Sequence, residues 1–246
     1  MKRWILLVLV LTQLLLSGCG AGAGGSSSAA SSSSSASNPS ASSSAPVPDA
    51  PPTLPEGTVA EGTVAPFSRT LSIPGQAART LRLSCRAVAS GYGTWTYGVD
   101  RMELLDGTRV VQTLSILDAI RASDEADGIP SDGEDGWTHC YEDLYLPTFE
   151  DLDFDGQPDI RMMEFLGTVN GRYLCWVWDA DDGEYRYAFT LVGYDITLNS
   201  ENKTIVADSR DGTDYYTDTY RYDAASGTLL HLDQVRTSPD SSGEAQ

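Results

Sequence analysis

The stretch DLDFDGQPDIRMMEFLGTVNGRYLCWVWDADDGEYRYAFTL, Asp151 to Leu191, carries three strand signals in succession, IRMMEFL, RYLCWVWD and EYRYAFTL, each rich in branched and aromatic residues. In the middle one, Tyr173, Cys175 and Val177 alternate with Leu174, Trp176 and Trp178. Both sets are apolar, which is the pattern of a strand covered on its two faces. One sheet is therefore expected to pack on another. The turn Ala180-Asp181-Asp182-Gly183 has the chemistry of a hairpin connection, so DADDGEY reads as an acidic turn.

Working outward, the same signals recur in RTLRLSCRAVA, YGVDRMELLD and TRVVQTLSI upstream and in KTIVADSRD, DYYTDTYRYD and TLLHLDQVR downstream. Asp106-Gly107 and Ala225-Ser226-Gly227 supply further tight turns. The fold class read from this is all-β: an antiparallel meander forming a β-sandwich-like domain over residues 56–237, or alternatively a partial propeller-like one. A helical period is visible only in SILDAIRASDEA, Ser115 to Ala126, which reads either as one short helix or as a strand end followed by a loop. SDEADGIPSDGEDG, Ser123 to Gly136, is acidic and Gly-rich without an apolar period, and is expected to be a mobile surface loop.

The segment DLDFDGQPD places Asp151, Asp153, Asp155 and Asp159 at positions 1, 3, 5 and 9 of a nine-residue turn. Carboxylates so close together repel unless a hard cation sits among them, and the Gln157 carbonyl at position 7 adds a fifth oxygen. Gly156 supplies the sharp bend. An all-oxygen donor set on a flexible loop selects calcium over zinc or copper. Position 12, where an EF-hand carries a bidentate Glu, is Met162 inside a strand signal, so the loop is expected to precede a strand and to bind calcium at roughly 0.1 to 1 mM. The ion would then stabilise the fold without a catalytic duty.

Residues 1–19 begin with Lys2 and Arg3, continue as the apolar run WILLVLVLTQLLL and end in Ser17-Gly18-Cys19, the layout of a lipoprotein signal peptide. Leu16-Ser17-Gly18-Cys19 resembles a bacterial lipobox, which implies diacylation and cleavage at Cys19 and hence an extracytoplasmic, membrane-anchored protein. Residues 20–55 are Ser, Ala, Gly and Pro with scarcely a large apolar side chain and read as a disordered tether; 238–246 read as a disordered tail.

Loss of Lys2 and Arg3 takes the net charge from −19 to −21. Such a balance excludes nucleic acid as a partner and direct adhesion to anionic lipid, and suits a cationic partner. Cys85, Cys140 and Cys175 remain after lipidation, with room for at most one disulfide and no choice between Cys140–Cys175 and Cys140–Cys85. His139 lies beside Cys140, but neighbours on an extended chain point to opposite faces, which argues against a catalytic dyad. Recurring hydrolase signatures are absent, although Glu164 with Asp143 or Glu150 offers an acid pair, so the chain reads as non-enzymatic. The stripe Trp176, Trp178, Tyr185 and Tyr187 reads as core, with a sugar-binding platform as its alternative.

FEDLDFDGQPDIRMMEFLGTVNGRYLCWVWDADDGEYRY and KTIVADSRDGTDYYTDTYRYD together resemble bacterial envelope lipoproteins related to a Xanthomonas calcium-binding periplasmic immunity protein, a group similar to the inhibitors of invertebrate-type lysozyme. The resemblance covers about Val99 to Val235. It implies a sandwich-like scaffold, calcium on Asp151, Asp153, Asp155 and Asp159, with Asp153 where Asn is commoner, and loops offered to a muramidase cleft. The turn Gly167 to Tyr173 lacks the Ser-Gly signature of an inhibitory loop. Asn170, Arg172 and Tyr173 are the partner-binding residues this placement implies. The alternative function is a carbohydrate or peptidoglycan adhesion module, with Trp137, Trp176 or Trp178 as stacking groups.

Overall fold

In β2 (Arg79–Ala89) Leu81, Leu83, Cys85, Ala87 and Ala89 are buried while the side chains between them are half-exposed, the period of two that a one-faced strand requires. The computed structural model describes residues 47–52, 59–90, 93–128 and 136–238. The signal peptide, Cys19 and most of the tether lie outside the described residues, as does the tail from residue 239.

Three antiparallel sheets follow one another along the chain, none closed into a barrel. The first orders β1 (Val64–Ser72), β2, β3 (Trp95–Asp106) and β4 (Arg109–Ser115), with β5 (Cys140–Tyr141) also on β3. The second orders β6 (Thr148–Glu150), β7 (Asp159–Leu166), β8 (Gly171–Asp179) and β9 (Glu184–Gly193). The third orders β10 (Asp195–Asn199), β11 (Thr204–Asp211), β12 (Asp214–Asp223) and β13 (Thr228–Thr237).

The two apolar faces of β8 explain how these sheets stack. Leu174, Trp176 and Trp178 join Leu81, Leu83, Met102 and Ile160 in one core cluster, whereas Cys175 and Val177 join Leu152, Phe189, Leu191 and Ile205 in another. The second sheet is thus the middle layer of a sandwich-like all-β domain.

Four strands escaped the sequence reading. β1 contains Pro66, which demotes a strand signal yet is tolerated because β1 is an edge. β5, β6 and β10 are five residues or shorter. The edge of β1 is met by chain that the sequence assigned to the tether: Ser68 donates its backbone N–H to the Pro48 carbonyl at 2.7 Å and its hydroxyl to Asp49 at 2.8 Å. Order therefore starts before residue 56.

SILDAIRASDEA resolves as a helix, α1 (Ile116–Asp127). The Ser115 hydroxyl caps it by accepting from the Asp118 N–H at 3.2 Å, and Gly128, at φ 70°, ends it in the left-handed conformation. Ile116, Ala119, Ile120, Ser123 and Asp124 form its buried face. The expected surface loop from Ser123 is corrected accordingly: Ser123–Asp127 is helical, with Ser123 and Asp124 buried. Residues 129–135 lie outside the described residues.

Gly98 allows a close crossing. A Cβ there would lie 1.8 Å from the Thr138 carbonyl oxygen and 2.0 Å from the Trp137 ring, so the segment carrying Trp137 could not seat over β3. The three described cysteines are buried free thiols. Burial, first of all, pushes Cys85 and Cys140 up to about 12, and Cys175 upward as well. Ellman's reagent is therefore expected to leave all three untouched in the native protein and to titrate them once it is denatured; prompt reaction of the native chain would contradict this burial.

Candidate metal centre

The alternation of the acidic loop sorts its residues before any ion is considered. Leu152 is fully buried in the second core cluster and Phe154 packs against it, while Asp151, Asp153 and Asp155 carry carboxylates. Two apolar anchors thus hold the loop down, a signal present in the sequence but not used there. Phe154 adopts φ 64°, a left-handed conformation that a bulky residue enters only when packing compensates. Gly156 follows at φ 91° and completes the bend.

Asp159, the last acidic position, is also the first residue of β7. Its Oδ1 accepts the Trp178 N–H at 2.8 Å, and its Oδ2 accepts the Leu152 N–H at 2.7 Å and the Asp153 N–H at 3.3 Å. This one carboxylate joins the loop to β8. Within the loop, Asp151 accepts from the Gly156 N–H at 3.1 Å, Asp153 from the Asp155 N–H at 3.1 Å, and Asp155 from the Gln157 N–H at 2.7 Å. Just ahead, Glu150 is clamped by Arg161 at 2.6 and 3.0 Å.

Asp151, Asp153 and Asp159 each bring an oxygen within 4.8 Å of the others, so the three could hold a metal ion. Asp155 is exposed and does not join that group. The Asp151 Oδ1 is buried without a hydrogen-bond partner, as expected of an oxygen placed to face a cation. Burial, then the charge of Asp155, pushes Asp153 up to about 6. Burial pushes Asp159 up to about 7 in spite of its backbone donors. The donor chemistry fits a hard divalent cation. Met162 is fully buried in the first core cluster, so position 12 contributes no ligand. A hollow of about 440 Å³ beside Asp151 and a groove of about 660 Å³ beside Asp153 and Asp155 leave room for the waters that complete such a shell.

Protein-family models and curated proteins give no match to this chain.

The other residues singled out in the sequence fall as follows. Arg172 does not face outward: its side chain is 12% exposed and pairs with Asp124 at 2.7 Å, Glu164 at 3.1 Å and Asp127 at 3.6 Å, and it donates to Ser123 at 2.6 Å. The counter-charges come from α1 and from a bulge in β7 at Glu164. Tyr173 is half-buried, touches both core clusters and lies under Arg161, whose guanidinium is 5.0 Å from the ring centroid. Asn170 exchanges two hydrogen bonds with the Arg210 backbone, at 2.9 and 3.0 Å.

No acid pair forms from Glu164 and Glu150, because each is paired with its own arginine; the Asp143 side chain lies outside the description. His139 is exposed and stacks on Trp137, while Cys140 points inward and donates to the Met163 carbonyl at 3.3 Å, so the two do face apart. Trp176, Trp178 and Tyr185 are core, and Tyr187 packs against them.

Proposed function

We propose that this chain is a calcium-stabilised lipoprotein of the bacterial envelope, anchored through Cys19, which binds a macromolecular partner and catalyses no reaction. The observation that carries this reading is the convergence of Asp151, Asp153 and Asp159 within 4.8 Å around a buried, unpartnered oxygen. Asp155 and the Gln157 carbonyl would complete the calcium shell once the loop tightens on the ion. The lipobox and the tether supply the anchor.

A basic muramidase is the partner class that the resemblance implies, with the chain as its inhibitor or immunity protein, and the net charge of −21 after loss of Lys2 and Arg3 would steer such a partner inward. The test is the rate of cell-wall lysis by lysozymes of several types with the purified chain at micromolar concentration in calcium. Slowed lysis by at least one type supports the reading; unchanged rates with all of them exclude a muramidase as partner.

The adhesion reading needs an exposed aromatic platform. Trp95, Trp137, Trp176 and Trp178 are each at most 8% exposed, which favours the first reading. Iodide is accordingly expected to quench little of the native tryptophan fluorescence of the mature chain. Strong quenching would return the sugar platform to consideration.

A further inference from the structure

We infer that the notch between the β7–β8 turn and the β11–β12 turn is the partner-docking site, and that it takes an extended protein segment presenting a large apolar side chain beside a carboxylate. The inference rests on the partner-binding reading above and assigns it a place. The floor of the notch is apolar: Phe165 is 42% and Val192 49% exposed, and Val169 stands at the turn. Phe165, Arg172 and Val192 form one row across β7, β8 and β9, since Phe165 pairs with Arg172 and Arg172 with Val192. At the bulge Glu164 is buried against Arg172, while Phe165 beside it stays exposed. These exposed apolar side chains offer a small patch on which an apolar group can be buried.

The walls are held in place before any partner arrives. Asn170 on one turn and Arg210 on the other share two hydrogen bonds, and the open space between the turns is about 610 Å³, the size of a ligand cleft. Arg210 also supplies the charge. Its Nε donates to the Gly212 carbonyl at 2.9 Å and its guanidinium lies 5.3 Å from the Tyr215 ring centroid, which fixes its plane. It makes no ion pair among the described residues, whereas Arg172, the other cation lining the notch, is neutralised by three acids.

A fixed guanidinium beside an apolar floor complements a carboxylate beside an apolar side chain. The strong overall negative charge repels an acidic protein at long range, so the matching segment is an isolated carboxylate on a neutral or basic partner. The role that the sequence suggested for Arg172 passes to Arg210.

The test titrates the isotopically labelled full chain, in calcium, with acetyl-Gly-Leu-Asp-Gly-amide and with the same peptide carrying Asn for Asp. The Asp peptide is expected to shift the amides of Val169, Val192, Arg210 and Gly212 saturably, with a dissociation constant of about 1 mM or below. The Asn peptide should bind about tenfold more weakly, the worth of one charge-assisted contact. Arg210→Gln should bring the Asp peptide to the level of the Asn peptide without lowering the melting temperature, and Val192→Asp should remove binding of both. Equal binding of the two peptides, or no saturable shift at those amides, overturns the inference. So does broadening of the same amides by zwitterionic phospholipid vesicles in place of peptide, which would make the patch a lipid contact. A saturable peptide shift together with unchanged muramidase activity sustains this site and removes only the choice of muramidase.

Discussion

Arg172→Leu is expected to cost about 3–5 kcal/mol of folding stability, the scale seen when one partner of a buried ion pair is removed. Its guanidinium is the common counter-charge of Asp124 and Glu164, both buried, and without it two carboxylates face each other's surroundings in a dry layer between α1 and the second sheet. Ser123 would lose a donor as well. The result should appear as a lower urea midpoint with an unchanged slope, because the same surface is still exposed on unfolding. Arg172→Lys should recover only part of the loss, since an ammonium cannot reproduce the fork that reaches Glu164, Asp124 and Ser123 together. Neutralising the acids in the same chain, as Glu164→Gln with Asp124→Asn, should return much of what Arg172→Leu removes. A variant as stable as the parent would mean that Arg172 is solvated and free to meet a partner.

Asp159→Ala is expected to cost at least about 3 kcal/mol whether or not calcium is present, because three backbone N–H groups lose their acceptor at once. A second consequence concerns pH. Asp159 is pushed up to about 7 and Asp153 to about 6 without a metal, chiefly by burial, above the ordinary carboxylate value of 3.8. Groups held higher in the fold than in the unfolded chain favour folding when protonated. Their contribution is complete below about pH 4 and is lost as pH rises through 6 and 7. In chelator, stability should therefore fall between about pH 5 and pH 8. In calcium the cation takes the place of the protons and the decline should vanish or reverse. Urea midpoints measured at pH 5, 6.5 and 8 with EGTA or calcium decide the matter, and a rising curve in EGTA would contradict the crowding of these carboxylates.

The readable and unreadable parts of this chain differ in the range of the interactions that fix them. β2, β8, β9 and β12 stand almost where their runs of branched and aromatic residues placed them, because strand propensity and, in β2, burial of every second side chain are local instructions. The doubly apolar β8 even announced the layer on each side. The ion pairs of Arg172 could not be read from the sequence because its partner Asp124 lies 48 residues away, inside a stretch whose acids and glycines look like loop. Once an arginine neutralises it, an acid can lie on the buried face of a helix, and no local pattern reports that. β1 and β10 are edge strands of the first and third sheets, held mainly by their neighbours. In the metal loop the spacing of the acids was legible, as was the strand that follows. The unequal roles were not: Asp159 is a structural acceptor for backbone N–H groups as well as one of the three acids that could hold a metal ion, and Asp155 stands outside that group.

The most direct measurement is calcium titration by calorimetry of the full chain and of Asp151→Asn, each with a melting curve in EGTA and in 10 mM calcium. The parent chain should bind one calcium at roughly 0.1 to 1 mM. At the tighter end, 10 mM calcium adds about 2.7 kcal/mol and raises the melting temperature by about 5 to 10 °C. Asp151→Asn should match or exceed the parent in EGTA, where one repelling charge is gone, and should lose the gain in calcium. No heat of binding, with superimposable melting curves of the parent chain in EGTA and calcium, would contradict the account.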